Sequence, residues 1–207
     1  QNYSANASID TENLTVSQAS SVVNLTINVT TQQNYGTKLN ATCQVLTGDN
    51  SNATLWVDGI LKTSAATLDL NASTHTMNCT YVATTNYTGS NNFSNFIINQ
   101  IASVINVTVN ETANNISINE GGAIYLNVSM LTGELPNYVE LYNNGTLINN
   151  GSSPRSNLTT FNSLGTFNIT GHYNATTNYS QSWQTWNVTV NNIDNEYPWF
   201  ANYSTTP

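Results

Sequence analysis

The feature that most constrains this chain is an alternation that is also a chemical signal. In VNLTINVTT (residues 23–31), two N-x-T triplets overlap a period of two. Strand side chains point alternately to opposite faces. Asn24, Thr26, Asn28 and Thr30 therefore share one face, and Leu25, Ile27 and Val29 the other. Such a triplet reads as acceptor outside, anchor inside, hydroxyl outside. NVTVN (106–110), NIT (168–170) and WNVTV (186–190) repeat the pattern. A chain written this way is expected to form half-buried strands whose outer face can carry sugar without disturbing the core.

The excess of these triplets is large. With 37 Asn and 51 Ser plus Thr in 207 residues, chance would supply roughly 9 acceptor motifs. There are 23, none with proline in the middle. They begin at Asn2, Asn6, Asn13, Asn24, Asn28, Asn40, Asn52, Asn71, Asn78, Asn86, Asn92 and Asn106. They continue at Asn110, Asn115, Asn127, Asn144, Asn150, Asn157, Asn168, Asn174, Asn178, Asn187 and Asn202. The plain alternative is an Asn/Thr-rich, β-prone surface with no sugar attached. Charge cannot keep this surface wet, because only 7% of residues are charged, against about 25% in a typical soluble domain. Covalent N-linked glycans, and no other cofactor, are the expectation. They would also shield sheet edges, a task usually left to charge.

An internal repeat sets the domain plan. NATCQVLTGDNSNATLWVDGIL (40–61) aligns with NVSMLTGELPNYVELYNNGTLI (127–148), and CTYVATTNYTGSNNFSNF (79–96) with GHYNATTNYSQSWQTWNV (171–188). Copies this long are whole domains rather than solenoid units. Strands are expected near 23–30, 38–46, 53–58, 66–70, 75–82 and 92–99, then near 104–110, 123–130, 138–143, 156–161, 166–174 and 183–191. Asp58-Gly59 and Asn144-Gly145 have the composition of tight hairpin turns. No stretch has helical periodicity.

Cys43, Trp56 and Cys79 fall on the second, third and fifth strands of the first copy, in the Cys…Trp…Cys order of an immunoglobulin core. The fold expected is all-β: two tandem immunoglobulin-like antiparallel β-sandwiches with an extended N-terminal strand. Residues 1–21 would be an arm, 22–100 domain one, 101–194 domain two and 195–207 an aromatic tail. The resemblance places a Cys43–Cys79 disulfide in domain one, the alternative being two free buried thiols. It places Trp56 and Tyr81 in that core, and Tyr142 and Tyr173 at the matching positions of domain two, which lacks the cysteines.

Several functions are disfavoured. Three basic residues and a formal charge of -8 offer nothing to nucleic acid. No apolar run approaches the ~18 residues of a membrane span. Starting at Gln1, the chain suits a mature secreted product. His75 and His172 look like repeat structure rather than a catalytic pair. DNSNAT (49–54) lacks the closing glutamate of a calcium loop. No catalytic constellation, phosphate loop or zinc spacing is present, so no enzyme and no metal are expected. So few titrating groups also imply a shallow dependence of stability on pH.

The sequon density, the scarcity of lysine and the Y-x-A-T-T-N-Y motifs resemble secreted archaeal surface proteins. More narrowly they resemble the subunits of glycosylated archaeal surface threads, or pili, joined by donor-strand complementation. That resemblance implies a homopolymer assembled head to tail at the cell surface, serving adhesion or biofilm, with other cells or surfaces as further partners. It implies residues 1–21, which carry the strand-like Ile9, Leu14 and Val16, as donor strand. Of the two sandwiches domain two is the favoured acceptor, because without a disulfide it has more need of an added strand. The rival readings are a monomeric adhesin or carbohydrate-binding surface glycoprotein, and a fragment of a surface-layer protein.

Overall fold

The computed structural model describes residues 13–49, 52–136 and 138–193. The chain divides into two compact units between Ile98 and Asn99. Each is an all-β sandwich with its own hydrophobic core.

In domain one the strands are β1 (Val22–Ile27), β2 (Gln32–Asn34), β3 (Leu39–Thr47), β4 (Ala53–Val57), β5 (Ile60–Lys62), β6 (Ala65–Leu68), β7 (Thr74–Tyr81) and β8 (Ser90–Asn99). They form a three-stranded sheet, β1-β3-β6, and a five-stranded one, β2-β8-β7-β4-β5. Domain two begins with β9 (Ile101–Ala102), β10 (Val104–Val109), β11 (Ile116–Asn119), β12 (Gly122–Thr132) and β13 (Tyr138–Asn143). It continues with β14 (Thr146–Ser152), β15 (Arg155–Phe161), β16 (Gly165–Tyr173), β17 (Tyr179–Ser180) and β18 (Ser182–Asn191). Its sheets are β10-β12-β15 and β11-β18-β16-β13-β14, with a short β9-β17 pair. Both sandwiches thus have three strands facing five. Domain two lacks the cysteines but no strand that domain one has.

The alternation in the sequence becomes the layering. Val107, Cys79, Val128, Ile169 and Val188, the middle residues of five acceptor triplets, are each 0% exposed. The turns follow from backbone chemistry. Asp58 and Gly59 have φ of 50° and 75°, and Asn144 and Gly145 46° and 77°. These left-handed pairs match the right-handed twist of hairpin strands and produce the β4-β5 and β13-β14 hairpins.

Cys43 and Cys79 form a disulfide, 36 residues apart in sequence, joining the two sheets of domain one. Two other core assignments are corrected. Trp56 is half-buried and faces outward, because β4 buries Ala53, Leu55 and Val57. The residue beside Cys79 in the ladder is Leu55. Tyr142 is likewise on the outer face, where Val139 and Leu141 supply the core. Tyr81 and Tyr173 are buried, at 3% and 1% exposure.

Candidate functional site

Three features bear on function: the N-terminal segment, the acceptor asparagines and the outward aromatics. The segment belongs partly to domain one. Ala19 pairs with Tyr87 in a parallel bridge. Its N–H donates to the Asn86 carbonyl, and its own carbonyl accepts from Thr88 N–H, each at 2.8 Å. The Ser21 hydroxyl donates to the Thr88 carbonyl at 2.6 Å. The expected arm of 1–21 is therefore shortened: residues 18–21 are already the entry strand of domain one. Leu14 and Val16 remain exposed, at 89% and 84%. Ile9 lies outside the described residues.

The same entry recurs in domain two, which explains the TTNY repeat. Ile101 pairs with Tyr179. The Gln100 amide donates to the Thr176 carbonyl at 2.6 Å, as the Gln18 amide does to the Thr84 carbonyl. Ser103 bonds Ser182 where Ser21 bonds Ser90, both at 2.7 Å. An acid placed just after each LTG then clamps the loop. Asp49 accepts from Tyr81 Oη at 2.6 Å and Thr84 Oγ1 at 2.8 Å. Glu134 accepts from Asn178 Nδ2 at 2.6 Å. TTNY is thus the fastening for the first strand of each sandwich. The sequence carried the signal, an acid following LTG and a glutamine 82 residues from its twin, though neither residue looks functional alone.

These clamps set a pH dependence. The Tyr81 and Thr84 hydrogen bonds hold the Asp49 carboxyl below its ordinary value of 3.8. The Thr176 hydroxyl and the Asn178 amide hold Glu134 below 4.5. At Asp58 and Glu140 burial is the largest single influence and raises the pKa. The hydrogen bonds from His75 and His172, together with those from the Thr76 N–H to Asp58 and from the Tyr142 hydroxyl to Glu140, outweigh it, and both are lowered. A depressed carboxyl contributes stability above its unfolded pKa, and that contribution is lost as pH falls through the folded value. Melting temperature is expected to be level from pH 7 to about pH 5 and to decline below about pH 4. A melting temperature that rises on acidification would contradict this.

Among the described acceptors, Asn13, Asn28, Asn40, Asn52, Asn71, Asn86, Asn110, Asn115, Asn144, Asn150, Asn168 and Asn174 are exposed. Asn24, Asn78, Asn106, Asn127 and Asn187 are half-buried on outer sheet faces, whereas Asn92 and Asn157, also half-buried, lie on the core-facing side of their strands, registered with Cys79 and Leu126. Asn2, Asn6 and Asn202 lie outside the described residues. At Asn28, Asn115 and Asn144 the side-chain oxygen accepts from a backbone N–H at 2.7–2.9 Å, a bond that does not engage the nitrogen, the sugar-bearing atom. Asn178 is the exception. It is 2% exposed and its Nδ2 is spent on Glu134.

Each histidine bonds a carboxylate, but the two are not counterparts. His75 Nδ1 bonds Asp58 at 2.6 Å at the start of β7. His172 Nδ1 bonds Glu140 at 2.8 Å near the end of β16, where domain one has Thr80. Trp183, 56% exposed, stacks on His172 with centroids 3.4 Å apart and lies 6.4 Å from Tyr142. Trp186 turns inward and donates to the Val107 carbonyl at 2.9 Å. Among the described residues no cluster of His, Cys, Asp or Glu could hold a metal ion, and no helix is long and apolar enough to cross a membrane.

No protein-family model matches the chain, and no curated protein matches it. Solved structures similar to it include fibronectin(III)-like modules of Clostridium thermocellum CbhA, at 9% identity over 87% of this chain and 100% of that one, TM-score 0.38. Another is the titin domains z1z2 in complex with telethonin, at 10% identity over 86% and 100% of the two chains, TM-score 0.38.

Proposed function

We propose that this chain is a structural, non-catalytic subunit of an extracellular, N-glycosylated cell-surface filament. Subunits polymerise head to tail by donating an N-terminal β-strand, and the filament serves adhesion or biofilm. The observation that carries the reading is the contrast between two equivalent segments. Leu14 and Val16 stand 82 positions before Phe96 and Ile98. In β8 those two residues are 0% and 3% exposed, as the last strand of a sandwich. Leu14 and Val16 have the same alternation and the same following motif, yet they are exposed. A strand of that kind finds its partner by adding to the sheet of another copy. The contact is heterologous and does not close on itself, so it builds fibres rather than dimers. The acceptor is a sheet edge of the neighbour. Both sandwiches have the same complement of strands, and domain two, which has no disulfide, remains the favoured acceptor.

Removal of residues 1–16 tests this cleanly, because it spares Ala19 and Ser21. The truncated protein is expected to remain folded and to give isolated particles by negative-stain microscopy. Leu14→Asp/Val16→Asp in the full chain should do the same. Normal filaments from either variant would overturn strand donation. The exposed Trp183 platform favours a second reading, a monomeric sugar-binding adhesin. That reading expects isolated rods from the intact protein and sugar binding that is lost in Trp183→Ala.

Glycopeptide mapping of native material tests the sheath. Sugar is expected at the exposed acceptors and absent at Asn178, whose burial and bond to Glu134 leave Nδ2 out of reach. Occupancy at Asn178 would show that attachment precedes folding there, with the Glu134 clamp unmade.

A further inference from the structure

On the outer face of domain one, three residues on adjacent strands stand side by side. Trp56 on β4 is registered with Asn78 on β7, and Asn78 with Phe93 on β8. Directly opposed residues in a sheet lie close enough for their side chains to touch. Trp56 is pinned: its Nε1 donates to Thr54 Oγ1 at 3.2 Å and Thr80 Oγ1 at 3.1 Å, and those two hydroxyls bond each other at 2.6 Å. Phe93 is 57% exposed. The three line a groove of about 500 Å³ with Gly59, Thr76 and Thr80, within the roughly 300–1,000 Å³ of small-ligand sites.

Asn78 begins an acceptor triplet, Asn78-Cys79-Thr80. Its side-chain oxygen is shielded from solvent and has no hydrogen-bond partner. An unpaired buried polar atom is uncommon and calls for a physical reason. Domain two supplies an internal control. The equivalent row is Tyr142, Thr170 and Thr185. Thr170 and Thr185 bond each other at 2.8 Å, and Tyr142 turns its hydroxyl to Glu140 at 2.8 Å. Where the acceptor is missing, the tryptophan and the phenylalanine are missing too, and the row closes on itself.

We infer that the groove is the seat of the sugar carried by Asn78 itself. The first rings of the glycan lie between Trp56 and Phe93, their apolar C–H faces against the aromatic side chains. Aromatic residues suit this because they offer a large rigid apolar face at little entropic cost. The glycan at Asn78 is then an ordered part of domain one, whereas those on exposed loops such as Asn52 extend into solvent. The inference rests on the N-glycosylation reading above.

The test combines glycopeptide mapping with oxidative footprinting of Trp56 and Phe93, comparing the native glycoprotein with Asn78→Gln from the same host. Sugar at Asn78 is expected, with Trp56 and Phe93 labelled several-fold faster in Asn78→Gln and Trp183 unchanged. Thr80→Ser, which keeps the triplet and the hydroxyl, should label like the native protein. An occupied Asn78 with equal labelling in both proteins would overturn the seat and leave the glycan sheath standing. So would an empty Asn78 among occupied neighbours. Sugar at no site would overturn both. If free glycan added to Asn78→Gln restores protection, the groove is a lectin-type site for sugars of other chains, and the covalent seat is wrong.

Discussion

Cys43→Ala/Cys79→Ala is expected to lower the stability of domain one by about 2–4 kcal/mol and leave domain two unchanged. The disulfide closes a loop of 36 residues. Chain entropy puts the effect of such a loop near roughly 4 kcal/mol, and measured losses usually fall somewhat short of that. Both sulfurs lie inside the core, at 4% and 0% residue exposure, so alanine also leaves a small apolar void. In a domain of this size that corresponds to a fall in melting temperature of about 10–20 °C. The two cores are separate clusters, so the change should be local. Hydrogen exchange on β3 and β7 peptides should lose protection, while β12 and β16 peptides keep theirs. An unaltered transition for domain one would mean that Leu55, Met77 and Phe96 hold it together without the staple.

What was legible in the sequence was whatever repeats every second residue. The long strands were readable because runs such as NVTVN and WNVTV alternate strictly. β2, β5, β9 and β17 were not, because two or three residues cannot express a period. The four-residue β11 and the edge strand β14 were not either, the latter because TLINNGS buries no residue fully and has no apolar alternation. Trp56 shows where motif spacing misleads. The Cys…Trp…Cys order suggested a core indole, but in ATLWV the alternation that buries Ala53 and Val57 selects Leu55 and turns Trp56 out. Parity was the stronger signal because it is fixed by backbone geometry, whereas the spacing tolerates a shift of one. The same slip put Tyr142 inside. The arm was drawn too long for a different reason. Its last residues find their partners in the TTNY loop more than sixty residues away, and only alignment of Gln18 with Gln100 reveals it. Asn178 shows the limit of a three-residue motif, which reports nothing about tertiary burial.

Gly171→Ala is expected to destabilise domain two by about 1–3 kcal/mol, the usual cost of overpacking a close-fitted core. Gly171 occupies in β16 the place that Cys79 has in β7, and Val128 in β12 the place of Cys43 in β3. Domain one spans the space between its sheets with a sulfur bridge. Domain two spans it with the methyls of Val128 resting on bare backbone. A Cβ at Gly171 would stand 2.5 Å from Val107 Cγ2 and 2.7 Å from Val128 Cγ2. Neither valine can swing away readily, because β-branched side chains have few χ1 rotamers, and both are 0% exposed. The sandwich must therefore widen locally or force a poor rotamer. Trimming the neighbour should relieve the clash, so Val128→Ala/Gly171→Ala should lose less than the sum of the two single changes. Residues in contact couple in this way, and distant ones do not. Chemical denaturation of the four proteins of that cycle, followed by the fluorescence of Trp183 and Trp186, measures the coupling. A neutral Gly171→Ala, or strict additivity, would mean that the two sheets of domain two have room for a side chain at this position. The glycine would then not be a requirement of the packing that stands here in place of a disulfide.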